Sequence, residues 1–204
     1  MKQKKSELTK QRILEAAEAE FSEKGVFGAR IDSIAASAGV NKRMIYEYFL
    51  SKEGLYKTVL INVYNRVSLW ESSLVGDNED PVKIIRDLVH SYFNFLAKNQ
   101  SFVRILLWEN LNGAVVLKDS GQSNLKAVVL ELISKVISDG KARGVFRADA
   151  DEYQVTMSLL NFAFSYFANV HTLSYVLSSD LLDETKINER AEFISDILIK
   201  YLSK

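Results

Sequence analysis

The sequence predicts an all-α protein, on three observations. Proline occurs once and glycine nine times in 204 residues, so few breakers interrupt regular structure. Apolar residues recur at three- and four-residue intervals over long windows, the period of a helix with one buried face. The gaps between those windows carry residues that start or stop helices.

The elements follow in chain order. Ile13, Ala16, Ala17 and Phe21 share one face and predict a helix over about 7–24 that stops at Gly25. Ile31, Ile34, Ala35 and Ala38 predict a short helix ending at Gly39. Asn41 is suited to cap a third, because its side chain can accept from a free backbone N–H. Ser51 can cap a fourth, long helix to about residue 75, with Glu53 in its first turn. "GDNEDP" is the clearest linker, and Asp80–Pro81 supplies a cap and first-turn pair for a helix over about 81–98. Further helices are expected over about 101–112 and 122–142. "GVFRADAD" is a turn, after which Asp149 or Asp151 starts a long apolar helix over about 150–177. A last helix spans about 187–203, making about nine in all.

Composition narrows function. About half the chain is apolar, enough to bury a core, and there is no cysteine, which removes disulfides, thiolate metal sites and cysteine nucleophiles. The basic N-terminus is not followed by the apolar run of a signal peptide, and no stretch reaches the roughly 18 apolar residues of a membrane span. A cytoplasmic protein with no membrane partner is the expectation. Net charge is zero but unevenly placed. Residues 1–57 hold eleven Lys+Arg against eight Asp+Glu; the remainder holds fifteen against eighteen. The first twelve residues alone carry Lys2, Lys4, Lys5, Lys10 and Arg12 against Glu7. That asymmetry fits an anionic partner at one end, or a solvated charged terminus. Enzyme motifs are missing: the only histidines are His90 and His171, with no metal-binding His pair, phosphate-cradling glycine loop or nucleophile elbow. Asp149, Asp151 and Glu152 lack the other ligands of a calcium loop and are better read as capping residues. No catalysis, cofactor or metal is expected.

Residues 31–49 carry the chemistry. Two short helices joined at Gly39, with Val40 at the corner, make a helix-turn-helix whose second helix enters the major groove by its N-terminal end. Asn41, Lys42, Arg43 and Met44 occupy that end; Lys and Arg can donate to guanine or phosphate, and Asn can pair with adenine or act only as the cap. Ile45 and Phe49 share a face that anchors the helix. Tyr46 and Tyr48 point elsewhere, where a hydroxyl can reach phosphate. A helical hairpin in an ordinary bundle would share the same geometry.

The segment "TKQRILEAAEAEFSEKGVFGARIDSIAASAGVNKRMIYEYFLSKEGLY", residues 9–56, resembles the DNA-binding domain of the TetR family of bacterial transcriptional regulators. The match rests on Thr9, "RILEAA", Phe21, Gly25, "IDSIAASAGV" and "IYEYFLSKEGLY" with their spacing intact. The resemblance implies phosphate contacts at Thr9, Tyr46, Tyr48 and Lys52, and base reading at Asn41, Lys42, Arg43 and Met44. There are two departures from the pattern. Ala29 and Arg30 stand where the family often has Ser or Thr, and Arg30 is expected to replace the hydroxyl's phosphate contact by charge. Asn41 stands where Ser is common; both cap well.

By the same resemblance, residues 1–50 are the DNA-binding domain and 51–204 a ligand-binding and dimerisation domain. The likeness in the second part is one of length, helix count and the "GVFRADAD" turn, with "NQSFVRILLWENLNG" resembling a segment of one subset of the family. It implies a homodimer through the last two long helices, with Phe167, Phe193, Ile197 and Leu198 as interface candidates. It also implies a small-molecule effector, apolar or aromatic, with Tyr92, Phe93, Trp108, Asn110, Phe164 and His171 as pocket candidates. The functional expectation is a one-component repressor that binds palindromic double-stranded DNA and is released by its effector through the helix at 52–75. The other reading is a helical scaffold that keeps the fold without reading DNA.

Overall fold

The computed structural model describes residues 2–72, 80–120 and 128–204. All its elements there are helices: α1 (Lys2–Gly28), α2 (Ile31–Ala38), α3 (Lys42–Phe49), α4 (Lys52–Ser72), α5 (Pro81–Lys98), α6 (Gln100–Leu111), α7 (Val115–Asp119), α8 (Val128–Ala142), α9 (Glu152–Ala168), α10 (Val170–Leu177) and α11 (Glu184–Leu202). The eleven helices among the described residues exceed the nine expected for two reasons. The short α7 follows two consecutive positive-φ residues, Gly113 and Ala114. The long apolar helix expected over 150–177 breaks at Asn169 (φ −109°, ψ 11°) into α9 and α10. Most of the linker expected at 76–81, and the start of the helix expected at 122, lie outside the described residues. No described helix is long and apolar enough to cross a membrane.

The caps read from sequence close their helices. Asp80 accepts from the N–H of Val82 at 3.1 Å, and Ser51 Oγ accepts from Gly54 N–H at 3.0 Å. Of the two candidates before α9, Asp151 is the cap, accepting from Tyr153 and Gln154 at 2.9 and 3.1 Å. Asp149 instead pairs with both arms of Arg147 at 2.7 and 2.6 Å, and that bond holds its carboxyl down at about 2. Among the described residues no three side chains gather as metal ligands. Gly25 breaks α1 with φ 66° and ψ 175°, and one more turn leads to Gly28.

The chain divides into two compact units, Met1–Val67 with Ser101–Leu125, and Ser68–Gln100 with Lys126–Lys204. In the first, α2 packs on α1 and α3, around Ile13, Ala17, Phe21, Ile34 and Ile45. This unit extends beyond residue 50, because Leu55, Tyr56, Val59, Leu60 and Val63 of α4 are buried, as are Phe102, Val103 and Ile105 of α6. In the second unit α5 is central, packed against α8, α9 and α11. Its buried residues Ile85, Leu88, Val89, Tyr92, Phe93 and Leu96 keep helical spacing.

Gly140 of α8 allows the close approach of Phe146; a Cβ there would sit 2.1 Å from a ring carbon that is itself buried. Two effects oppose each other on Gly140→Ala. Helix propensity favours Ala by about 1 kcal/mol, while overpacking a fixed ring costs about 1–3 kcal/mol. The ring has nowhere to move, so the variant is expected to be less stable in urea unfolding; a gain in stability would refute the packing argument. A second expectation concerns acid. Glu192 of α11 accepts from His90 at 2.9 Å and pairs with Arg86, which holds its carboxyl below the usual 4.5. A depressed carboxyl contributes stability that is complete above its unfolded value and is lost as pH falls through the folded one. The melting temperature should therefore hold from neutral pH down to about pH 5 and fall below it, and Glu192→Gln should flatten that fall.

Candidate nucleic-acid interface

The turn between α2 and α3 is made by Gly39 at φ 64°, ψ 42°, a left-handed conformation that costs glycine little. Val40 N–H reaches back to Ala35 O at 3.0 Å and Gly39 N–H to Ala36 O at 3.2 Å, so the end of α2 is closed. Asn41 then caps α3, its Oδ1 accepting from Arg43 N–H at 2.9 Å. The side chain expected either to read a base or to cap is used as the cap.

Ile45 and Phe49 are buried and fix the rotation of α3. That rotation leaves Lys42, Arg43 and Tyr46 exposed and Met44 half-buried. The Arg43 side chain is 85 % exposed and pairs with Glu47 at 3.0 Å; Lys42 pairs with Asp32 of α2 at 3.1 Å. Exposed pairs of this kind contribute about 0–1 kcal/mol, so either cation can exchange its carboxylate for a phosphate or a base edge at small cost.

Of the remaining expected contacts, Thr9, Tyr48 and Lys52 are more deeply placed and Arg30 is not. Thr9 is buried on α1. The Tyr48 hydroxyl lies 3.1 Å from Ser6 Oγ, with the Lys10 ammonium over its ring at 5.4 Å. The Lys52 ammonium donates to Ala29 O at 2.9 Å and Phe27 O at 3.3 Å. Arg30 is exposed immediately before α2, and its backbone N–H donates to Glu20 at 3.1 Å.

Sequence reasoning missed what braces this surface from behind. Glu109 of α6 is 3 % exposed. One of its oxygens accepts from the Tyr56 hydroxyl of α4 at 3.0 Å, the other from Leu117 N–H of α7 at 3.1 Å. Burial and this carboxylate together push the nearby Tyr64 hydroxyl up to about 12. The signal was present: Glu109 continues the face of Phe102 and Ile105, an acid on an apolar stripe. Trp108 lies against Gly25, where a Cβ would come within 2.8 Å of the ring, and its indole N–H donates to Ser22 O at 3.3 Å. Glu18 of α1 joins Arg66 of α4, at 2.6 Å, to Ser101 of α6.

The six expected pocket residues are not brought together in one described cavity. Trp108 and Asn110 belong to the first unit, Trp108 in the brace just described and Asn110 exposed. Tyr92 and Phe93 are buried in the core of the second, where Phe93 meets the rings of Tyr166 and Phe167 at 5.8 and 5.9 Å. Phe164 is half-buried and His171 exposed. A cavity of about 490 Å³ in the second unit is lined by none of the six; Phe162, Tyr166, Leu173, Leu181, Arg190 and Phe193 are among its walls.

The expected interface residues also divide. Phe167 and Leu198 are buried in the chain's own core, as their helical phase dictates. Leu198 continues the α11 stripe of Ile187, Ala191, Ile194 and Leu202, and Phe167 closes the aromatic cluster. Phe193 and Ile197 lie off that stripe and are exposed, as is Tyr201 one turn further on.

Residues 13–59 match the family described as bacterial regulatory proteins, tetR family, and residues 81–198 match the tetracyclin repressor-like C-terminal domain. The chain is 35 % identical over 199 residues to the HTH-type transcriptional repressor NicS of Pseudomonas putida, covering 96 % of this chain and 93 % of that protein. It is 29 % identical over 196 residues to the HTH-type transcriptional regulator RutR of Escherichia coli, covering 94 % and 89 %. The fold is similar to that of the fatty acid degradation regulator FadR from Bacillus halodurans, with a TM-score of 0.71 at 19 % identity over 93 % of this chain and 94 % of that one. It is similar also to the ketosteroid transcriptional regulator KstR2 of Mycobacterium tuberculosis, with a TM-score of 0.71 at 18 % identity over 96 % and 95 %.

The buried bond makes a direct test. Tyr56→Phe leaves the Glu109 carboxylate without one of its two hydrogen-bond donors and should cost about 1–3 kcal/mol in denaturant unfolding. A loss below about 0.5 kcal/mol would mean the carboxylate is satisfied without the tyrosine.

Proposed function

This chain belongs to the TetR family of bacterial transcriptional regulators, and from that membership we propose that it is a cytoplasmic repressor that binds a palindromic operator as a homodimer. A small-molecule effector releases it. The observation that carries the reading is the start of α3, where buried Ile45 and Phe49 hold Lys42, Arg43 and Tyr46 outward at the end of a helix suited to the major groove. Arg43 and Lys42 read base edges or phosphate, Met44 contributes apolar contact, and Tyr46 and Arg30 meet the backbone. Thr9, Tyr48 and Lys52 contribute at the margin, from positions already tied into the domain.

Two copies give the palindrome its meaning, since half-sites one turn apart need recognition helices about 34–36 Å apart or a multiple of that. The exposed residues Phe193, Ile197 and Tyr201 of α11, with Tyr153 and Met157 of α9, supply the apolar surface for pairing. The effector acts by its different affinity for the operator-bound and released arrangements. Its pocket draws on the aromatic residues of the second unit, and an apolar or aromatic compound suits them.

The test is selection of bound duplexes from random fragments, followed by titration at several salt concentrations. The wild-type protein should prefer the selected duplex and lose affinity steeply with salt. Arg43→Ala should weaken that duplex about tenfold or more, and Tyr46→Phe about threefold. If both variants bind like the wild type, the assignment of α3 is wrong. If the wild type selects no duplex, the chain is a scaffold that has kept the fold.

A further inference from the structure

Two large apolar side chains stand in solvent at one edge of the helix-turn-helix, in backbone that is not free to move. Phe27 is 82 % exposed and Leu50 86 %. Single exposed apolar residues are ordinary; these two are not placed in an ordinary way. The segment carrying Phe27 is tied on every side. Val26 and Ala29 are buried, Gly25 lies under the Trp108 ring, Ala29 N–H donates to Gly25 O at 3.1 Å and Arg30 N–H to Glu20. Leu50 has φ 67° and ψ −48° in a three-residue turn closed by Ser51 N–H to Phe49 O at 2.8 Å. That region costs a side-chain-bearing residue roughly 1–3 kcal/mol. Leu50 therefore holds a strained backbone while burying almost nothing.

A single lysine joins the two segments. Lys52, two residues after Leu50, donates to the carbonyls of Phe27 and Ala29. The edge so formed runs on through exposed Arg30 into the first turn of α2, where Asp32 pairs with Lys42 at the start of the recognition helix. It is continuous with the start of α3 and carries the cations Arg30 and Lys52. A DNA backbone alternates phosphates with deoxyribose rings whose C–H faces are apolar, and cations beside apolar side chains match that alternation.

We propose that Phe27 and Leu50 are DNA-binding residues that pack on deoxyribose beside the phosphate met by Arg30, extending the contact past the recognition helix. This rests on the reading of α3 as the recognition helix. The contact is independent of sequence, and because it pairs no charge it releases no counterion. Its rigidity means that little ordering is needed on binding.

The experiment uses the full-length protein, the duplex selected by the wild type, and a scrambled duplex of equal composition. Phe27→Ala and Leu50→Ala are compared with wild type by anisotropy at several salt concentrations; Ala keeps the Cβ and so leaves the backbone strain of the turn unchanged. Each variant should weaken binding to both duplexes by about fivefold, with the slope of log affinity against log salt unchanged and the melting temperature not lowered. Affinities within twofold of wild type on both duplexes overturn the proposal and leave the edge to a protein partner. A change of about one in the salt slope also overturns it, because the loss would then lie in a phosphate contact. If the wild type prefers no duplex, the reading of α3 falls together with this proposal, an outcome distinct from a selective wild type with unaffected variants.

Discussion

One buried carboxylate ties together the helices behind the helix-turn-helix. Glu109 sits among apolar side chains, where an unpaired charge would be strongly unfavourable, so its two bonds are obligatory. They fix the Tyr56 hydroxyl and the Leu117 N–H, and through them α4 and α7 against α6. Three residues before Tyr56 α4 has barely begun: Ser51 caps it, and Gly54 approaches Phe49 O so closely that a Cβ would lie 2.3 Å away. The end of the recognition helix is thereby keyed to the first turn of α4. From the other side Trp108, next to Glu109, presses on Gly25 and sets the break in α1. The position of α3 is thus determined by a closed circuit of contacts through α6.

That circuit changes what α6 is for. Read along the chain, residues 101–112 fall in the part expected to bind ligand. In the fold they belong with the helix-turn-helix, bonded to α1 and α4. The Tyr56–Glu109 bond joins α6 to the first turns of α4, which pack against the end of α3. Coupling of this kind needs two discrete arrangements rather than continuous deformation, because a close-packed core resists small distortions.

The second unit follows a different logic. Its α5 is amphipathic and finds enough cover in α8, α9 and α11. α9 and α10 together carry more apolar residues than the described chain covers. The surplus emerges as Tyr153, Met157, Tyr175, Val176 and Leu177, joined by Phe193 and Ile197 from α11. Residues one helical step away, Ile194 beside Phe193 and Leu198 beside Ile197, lie in the chain's own core. The boundary between inside and outside on α11 is therefore a matter of about a hundred degrees of rotation.

The sequence by itself determined the class of fold, the caps at Ser51, Asp80 and Asp151, the glycine turn at Gly39, the anchoring of α3 by Ile45 and Phe49, and the cations at its start. These are local: each depends on residues within a turn or two, where spacing alone fixes which groups can meet. Only the tertiary structure decided that Glu109 bonds Tyr56 across 53 positions, that Trp108 braces Gly25, that Tyr48 is tied to Ser6 and Lys52 to the α1–α2 turn, and that Phe167 and Leu198 are core. Helical periodicity marks an apolar face but not the neighbour that covers it, and an isolated acid or aromatic on such a face acquires its role only from the partner that long-range packing delivers.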